Sequence, residues 1–460
     1  MPPSHKMPAS QILARAAAHT RWESLPKSAQ TRAAHLCLDT LAIIAAAAAH
    51  PGHAQLAAAH AADIGPCTII GLGQKLSAPS AALINGAATT VLQWQDGHRL
   101  ARGHPASHLV PVLLALAEPA NATASATMAA FVAGYEVGTR IGMALGGMQP
   151  DLHDAGNWAT IGAAAAAAHL LSGGDETIIN HAINGAAAMA LFPWAQTPLR
   201  GATMHHLYIG QGAAMALSIA RAAMAGLTGD DETLPQFFGP RAGAAFDPET
   251  LATGINQQGQ WHIFQIESGY LKWHQACAHA SGAADAMAQL LAAHPLKPED
   301  ITAIRVESYA KGLHYNIDLP LNDLAARFSL RAVLAAQLIK QPLSNALLDD
   351  PATKALMAKI STHHDPALDK HYPAGRPARV TIRMAGGQRH EAMVIDAYGD
   401  AQRPLTETDR KAKLTSALSA SLGKAAAHVP LAFQNWLDGA PLAELMASLH
   451  GLLPAPPAIR

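Results

Sequence analysis

Between Ser10 and about Leu227 the chain is a succession of alanine-rich segments: Arg32–Ala49, Ala78–Thr90, Val110–Glu118, Ala126–Leu145, Ile161–Leu171 and Gly212–Gly226. Alanine gives up no side-chain entropy in a helix, each run spans several turns, and glycine or proline separates most of them. This half is therefore expected to be a bundle of helices. Several segments are apolar on nearly every face, the pattern of helices enclosed by other helices. Small side chains let such helices approach closely. The runs Leu38–Ala49 and Ile161–Ala168 read as buried helices, because no stretch reaches the ~18 uninterrupted apolar residues of a membrane span.

The texture changes near Gln258. Thr302–Ser308 and Arg379–Met384 alternate apolar with polar residues, the period of a half-buried strand, and Gly386-Gly387 turns the second into His390–Ile395. Helical stretches lie between them at Ser281–Ala293, Leu330–Ile339 and Pro351–Ile360. The final segments, Thr406–Leu422 and Pro430–Leu449, return to helical patterning. The expected fold is mainly α: a large all-helical domain over 1–262, a smaller α+β lid domain over 263–402, and C-terminal helices over 403–460 packing back on the first domain.

Composition narrows the function. A net charge of -1, 50% apolar content and 14% charged content describe a protein with a large core and no overall attraction to nucleic acid or anionic membrane. Three scattered cysteines and an N-terminus without a secretory apolar run point to a reducing cytoplasm. No P-loop, no G-x-G-x-x-G after a strand and no G-x-S-x-G elbow is present. The 25 histidines lack a metal-ligand spacing, and His205-His206 are adjacent rather than one helical turn apart, so no metal and no cofactor are expected.

Chemistry concentrates in the loop Gln95-Asp96-Gly97-His98-Arg99-Leu100-Ala101-Arg102-Gly103-His104-Pro105, which sets an acid, two imidazoles and two guanidiniums between helices. A carboxylate beside histidine orients it and raises its basicity, and arginine offers the planar donor fork that suits carboxylates. A solvated surface turn is the alternative.

Ordered matches then extend along the chain: Leu38-Asp39-Thr40-Leu41-Ala42, Ala81–Gly86, Asp96-Gly97-His98 with His104-Pro105, Gly134-Tyr135-Glu136-Val137, Arg140-Ile141-Gly142, His153 before Gly156 and Trp158, His206–Gly210, the Lys272/His274/Cys277/His279 cluster, Phe328-Ser329-Leu330 and Gly399-Asp400. In this order the chain resembles the MmgE/PrpD family. The resemblance implies a helical domain joined to an α+β lid with the site between them, and a homodimer. It also implies cofactor-independent acid–base chemistry on small di- or tricarboxylates, by dehydration, decarboxylation or epimerisation.

On that resemblance, Asp96, His98, His104 and His153 are the expected catalytic residues, and Arg99, His205, Lys272 and His274 the expected substrate-binding ones. His104 supported by Asp96 is the leading proton-transfer pair, with His205 and Lys272 recognising carboxylate. For His98 a water-facing position, for His153 a bond to a nearby carbonyl, for His205 a hydrogen-bonded structural role and for Lys272 a surface salt bridge are the alternatives. Cys277 is read as a buried small residue. The chain departs from the family where Gln93 and Gln95 leave Asp96 as the only acid, where His205 stands for a lysine, and at Ala278, Ser281, Arg331 and Ala332. Dehydration is the leading expected reaction. Epimerisation would use His153 or His274 as second base, and a non-catalytic dimeric binding protein is the reading from another class.

Overall fold

The computed structural model describes residues 7–451; the outer ends of the expected domains, 1–6 and 452–460, lie outside the described residues. The longer helices of the first part are α1 (Ala9–Ala18), α2 (Lys27–Ala48), α3 (Pro51–Ala59), α4 (Ala78–Val91), α5 (Pro105–Ala120), α6 (Ala124–Ala144), α7 (Trp158–Ser172), α8 (Glu176–Ala188) and α9 (Leu207–Met224). Their starts follow local chemistry. Thr123 caps α6 by accepting from Ala126 N at 3.2 Å, and Asp175 caps α8 by accepting from Ile178 N at 3.0 Å. Pro105 stands at the first position of α5, where its missing N–H costs nothing.

The bundle is organised around α7, which touches α5, α6, α8 and α9. Its alanines Ala163–Ala168 are all fully buried, so the segment is apolar on every face because it is surrounded. Where α6 crosses α7, a methyl added at Gly162 would lie 2.6 Å from the Gly134 carbonyl oxygen, so only glycine allows this approach. α2 is long and apolar enough to cross a membrane, but 78% of its apolar stretch is buried inside the protein.

Two short antiparallel pairs accompany the helices: β1 (Ile64–Thr68) with β2 (Lys75–Leu76), and β3 (Gly97–His98) with β4 (Gly269–Tyr270). The second pair ties the loop before α5 to the segment that leaves the helical domain. The α+β domain holds α10 (Ser281–Ala293), α11 (Leu330–Leu338), α12 (Pro351–Ala358) and a sheet of β5 (Ile301–Ser308), β6 (Ile360–His364), β7 (Ala378–Met384) and β8 (Arg389–Val394). Strand order is β6-β5-β7-β8, with β5 and β6 parallel and the other pairs antiparallel. The sheet and α10 enclose a core of their own, including Met287, Ile304, Val306, Val380 and Ile382.

The sequence reading extends one helix too far: Pro351–Ile360 ends at Ala358, and Ile360 opens β6. Ile360-Ser361-Thr362-His363-His364 has a single aliphatic residue, so its period is invisible, and pairing with β5 decides its conformation.

The chain then returns to the bundle through α13 (Glu407–Leu422), α14 (Val429–Leu437) and α15 (Leu442–Ser448). α13 lies along α2, and there Lys413 Nζ donates to Asp39 Oδ2 at 2.9 Å, with both side chains almost wholly buried. Another buried pair, Arg140 and Glu136 on α6, holds the crossover segment. Arg140 donates to the Thr253 and Ile263 carbonyls, and Glu136 accepts from Gln265 N and Ile266 N, both at 2.9 Å. The motif residues around Glu136 and Arg140 thereby fix the path by which the chain reaches β4 and Lys272.

Candidate active site

The loop before α5 is shaped by Asp96. Its carboxylate accepts from Ala106 N at 3.0 Å, Ser107 N at 3.2 Å and Ser107 Oγ at 2.9 Å, so it caps α5. It does not support His104, as the sequence reading expected. The contact to His104 comes from the Asp96 backbone carbonyl, which accepts from Nδ1 at 2.5 Å. A carbonyl can only accept, so Nδ1 carries the proton and the Nε2 lone pair is free. Burial, and then the charge of Lys272, hold His104 well below the ordinary histidine pKa, which leaves it neutral with an unprotonated Nε2. The next turn repeats the device: His108 Nδ1 donates to the His104 carbonyl at 2.8 Å, and its Nε2 accepts from Gly156 N at 2.9 Å. His108 thus anchors the loop that carries His153.

His104 opens into a cavity of about 290 Å³ between the two domains. The helical side contributes Gln93, Arg102, His104, His153 and Asp154; the crossover contributes Lys272, Cys277 and His279; the α+β domain contributes Lys311, Tyr315, Tyr372 and Arg376. Four cations therefore face one carboxyl group. Among the described residues none of the four cations is ion-paired with a carboxylate. Lys272 Nζ donates to Gln93 O at 2.9 Å and Gln95 Oε1 at 3.4 Å, Arg376 donates to Tyr270 Oη at 2.7 Å, and Arg102 donates to the Gly146 carbonyl. Lys311 lies over the Tyr315 ring, 5.1 Å from its centre.

Burial drives the Lys272 pKa down to about 7, with nearby Arg376 acting in the same direction. The glutamines at 93 and 95 offer it dipoles but no countercharge. His153 Nδ1 accepts from Ala155 N at 3.0 Å, which places its proton on Nε2, and burial lowers its pKa as well. Asp154 is pushed the other way, its pKa raised by burial, and its Oδ2 has no hydrogen-bond partner.

The structure gathers some of the expected residues and disperses others. His104, His153 and Lys272 line the cavity. His205 lies behind it, its ring 4.9 Å from that of His153, accepting from Gln93 Nε2 at 3.1 Å, while its Nδ1 is buried without a partner. Besides Asp96, three expectations are corrected. His98 is fully buried between the Gln265 carbonyl and Ala101 N, away from the cavity. Arg99 is committed to Asp400 and the Ala374 carbonyl, so its fork latches the loop to the α+β domain instead of meeting substrate. His274 binds Asp285 Oδ1 at 2.7 Å and faces a different, shallow surface.

The cationic residues missed in the sequence, Lys311 and Arg376, sit in segments with no local motif. Arg102 belonged to the recognised loop and carried a signal in its backbone, which is left-handed at φ +59°. Cys277 lines the cavity with burial raising its pKa, so it stays a thiol. No three His, Cys, Asp or Glu side chains converge on a metal-sized point among the described residues.

A helical bundle and an α+β domain closing on a cation-lined cleft define a two-domain, mainly helical protein with an interdomain site. The MmgE/PrpD N-terminal domain matches residues 11–242 and the MmgE/PrpD C-terminal domain matches residues 274–438, so the chain belongs to the MmgE/PrpD family. That family is generally enzymatic, of dehydratase, lyase or isomerase type. No curated protein matches the chain.

Proposed function

We propose that this protein is a cofactor-independent hydro-lyase that removes water from a small hydroxy-polycarboxylate. One observation carries the reading: the free Nε2 of a neutral His104 shares a buried cavity with four cations that have no carboxylate partners. Uncompensated buried charge is costly, and an anionic ligand offsets it.

In the proposed reaction the Nε2 of His104 takes the proton from the carbon beside a carboxylate. The bonding pair moves onto that carboxylate, where the Arg376 guanidinium holds the developing second charge. As the double bond forms, the hydroxyl on the neighbouring carbon leaves with a proton from Lys272, giving an alkene and water. A lysine pKa of about 7 keeps its acid and base forms both populated near neutrality. On this reading His153, which lines the cavity from the helical side, donates a hydrogen bond from Nε2 to substrate.

The test is incubation in deuterated buffer with citrate, 2-methylcitrate, malate and cis-aconitate, followed by NMR. A new alkene signal, or water addition to the alkene, that falls by about 10²-fold or more in His104→Ala with an unchanged melting temperature supports the reading. Deuterium incorporation without an alkene would replace dehydration by epimerisation, and release of carbon dioxide by decarboxylation. Binding without exchange for every acid would replace it by a binding protein on the same scaffold.

A further inference from the structure

Arg102 and Lys311 face the same cavity from opposite domains, outside the group that the proposed proton transfer uses. Arg102 is held by its surroundings: its backbone N donates to the His98 carbonyl at 2.8 Å, its guanidinium lies 5.4 Å from the Tyr372 ring centre, and its Nε is buried without a partner. A methyl at Gly147 would lie 2.1 Å from its Nη1, so the glycine makes room for it. Lys311 sits on the short helix Ala310–His314, half-buried over Tyr315.

The two like charges are close enough to feel each other, since burial and then the Arg102 charge lower the Lys311 pKa. Among the described residues neither is ion-paired with a carboxylate, and Asp154 is the one carboxyl group lining the cavity they share. Arg102 reaches across to the Tyr372 ring while Lys311 stays over Tyr315, and an anionic group between the two cations would relieve their repulsion. The fork of arginine and the point charge of lysine together match the two oxygens of one carboxylate.

We propose that Arg102 and Lys311 form the subsite for a second, non-reacting carboxylate of the substrate, one that joins the two domains across the cavity. This rests on the polycarboxylate reading above and adds that the substrate carries anionic groups at both ends. One end meets Arg376 and Lys272, and the other meets Arg102 and Lys311. An acid with a single carboxylate fills only the reacting end and leaves the second pair repelling.

Calorimetric titration with three unreactive acids, tricarballylate, succinate and butyrate, at about 0.15 M salt tests this. Expected are losses of about tenfold or more in affinity for a polyacid in both Arg102→Gln and Lys311→Gln, with butyrate binding unchanged. In the double variant the losses should fall short of the product of the single ones, because both residues hold one group. Arg376→Gln should weaken all three acids. Lys311→Gln, at a half-buried position, guards against a folding defect in the Arg102 variant, and melting of the unliganded variants checks both. Polyacid affinity within about twofold of the parent in either variant, or an equal loss for butyrate, overturns the subsite. If the parent protein binds none of the acids, the polycarboxylate reading itself fails and takes this inference with it.

Discussion

Lys272 should make the protein measurably less stable at mildly acidic pH than at mildly basic pH, and replacement by methionine should remove that dependence. The lysine is 2% exposed, and burial lowers its pKa from 10.5 to about 7. Below pH ~7 it is charged in both the folded and the unfolded chain, and folding carries the whole cost of burying the charge. Above that, the folded lysine is neutral while the unfolded one stays protonated up to 10.5, so unfolding takes up a proton and stability rises with pH across the window. At about 1.4 kcal/mol per pH step, the gain between roughly pH 6 and pH 9 is about 3 kcal/mol. Lys272→Met keeps an unbranched side chain one atom shorter and loses the titration, although it leaves Gln93 O and Gln95 Oε1 without their donor. Urea unfolding of both proteins at the two pH values isolates the contribution, because groups common to both cancel in the double difference. If Lys272 is the acid of the proposed dehydration, the variant also loses turnover. Parallel pH dependence of parent and variant would show that the ammonium is not desolvated and would refute the reasoning.

Two further changes separate structure from chemistry. Asp96→Asn should lower stability by about 1–3 kcal/mol, because an amide cannot accept from Ala106 N and both Ser107 donors at once, yet leave turnover within about tenfold; chemical denaturation and the NMR assay read the two effects. Lys413→Met should cost about 3–5 kcal/mol by stranding Asp39, which is 1% exposed, and the double change Lys413→Met with Asp39→Leu should recover most of it in the same denaturation experiment.

Much of the fold was legible in the sequence because its signals are local. Alanine content and glycine punctuation are enough for six of the nine bundle helices α1–α9, period-two alternation for β5 and β7, and the Gly386-Gly387 turn for β8. Ser281–Ala293 was readable to the residue, since an uninterrupted helical run ends there before His294-Pro295. β6 was not, because its conformation comes from hydrogen bonds to β5 some fifty residues away.

The site divides in the same way. Residue types and their order along the chain single out the loop at 95–105, His153 and Lys272; His104, His153 and Lys272 line the cleft, whereas Asp96, His98 and Arg99 do not. Which atom of each does what was beyond reach of spacing. Asp96 and His104 are eight residues apart, but the turn of the chain at Pro105 aims the carboxylate at the α5 N-terminus and leaves only the backbone carbonyl for the imidazole. Arg99 and Arg102 are three residues apart with the same side chain, and the fold sends one to Asp400 and the other into the cavity. Lys311 and Arg376 join them only because the sheet domain folds over the bundle. By itself the sequence determined most of the long helices, three strands of the larger sheet and the family of chemistry, all of which depend on neighbours along the chain. The tertiary structure alone decided which charges lost their partners and their water, because desolvation depends on what lies across the cleft.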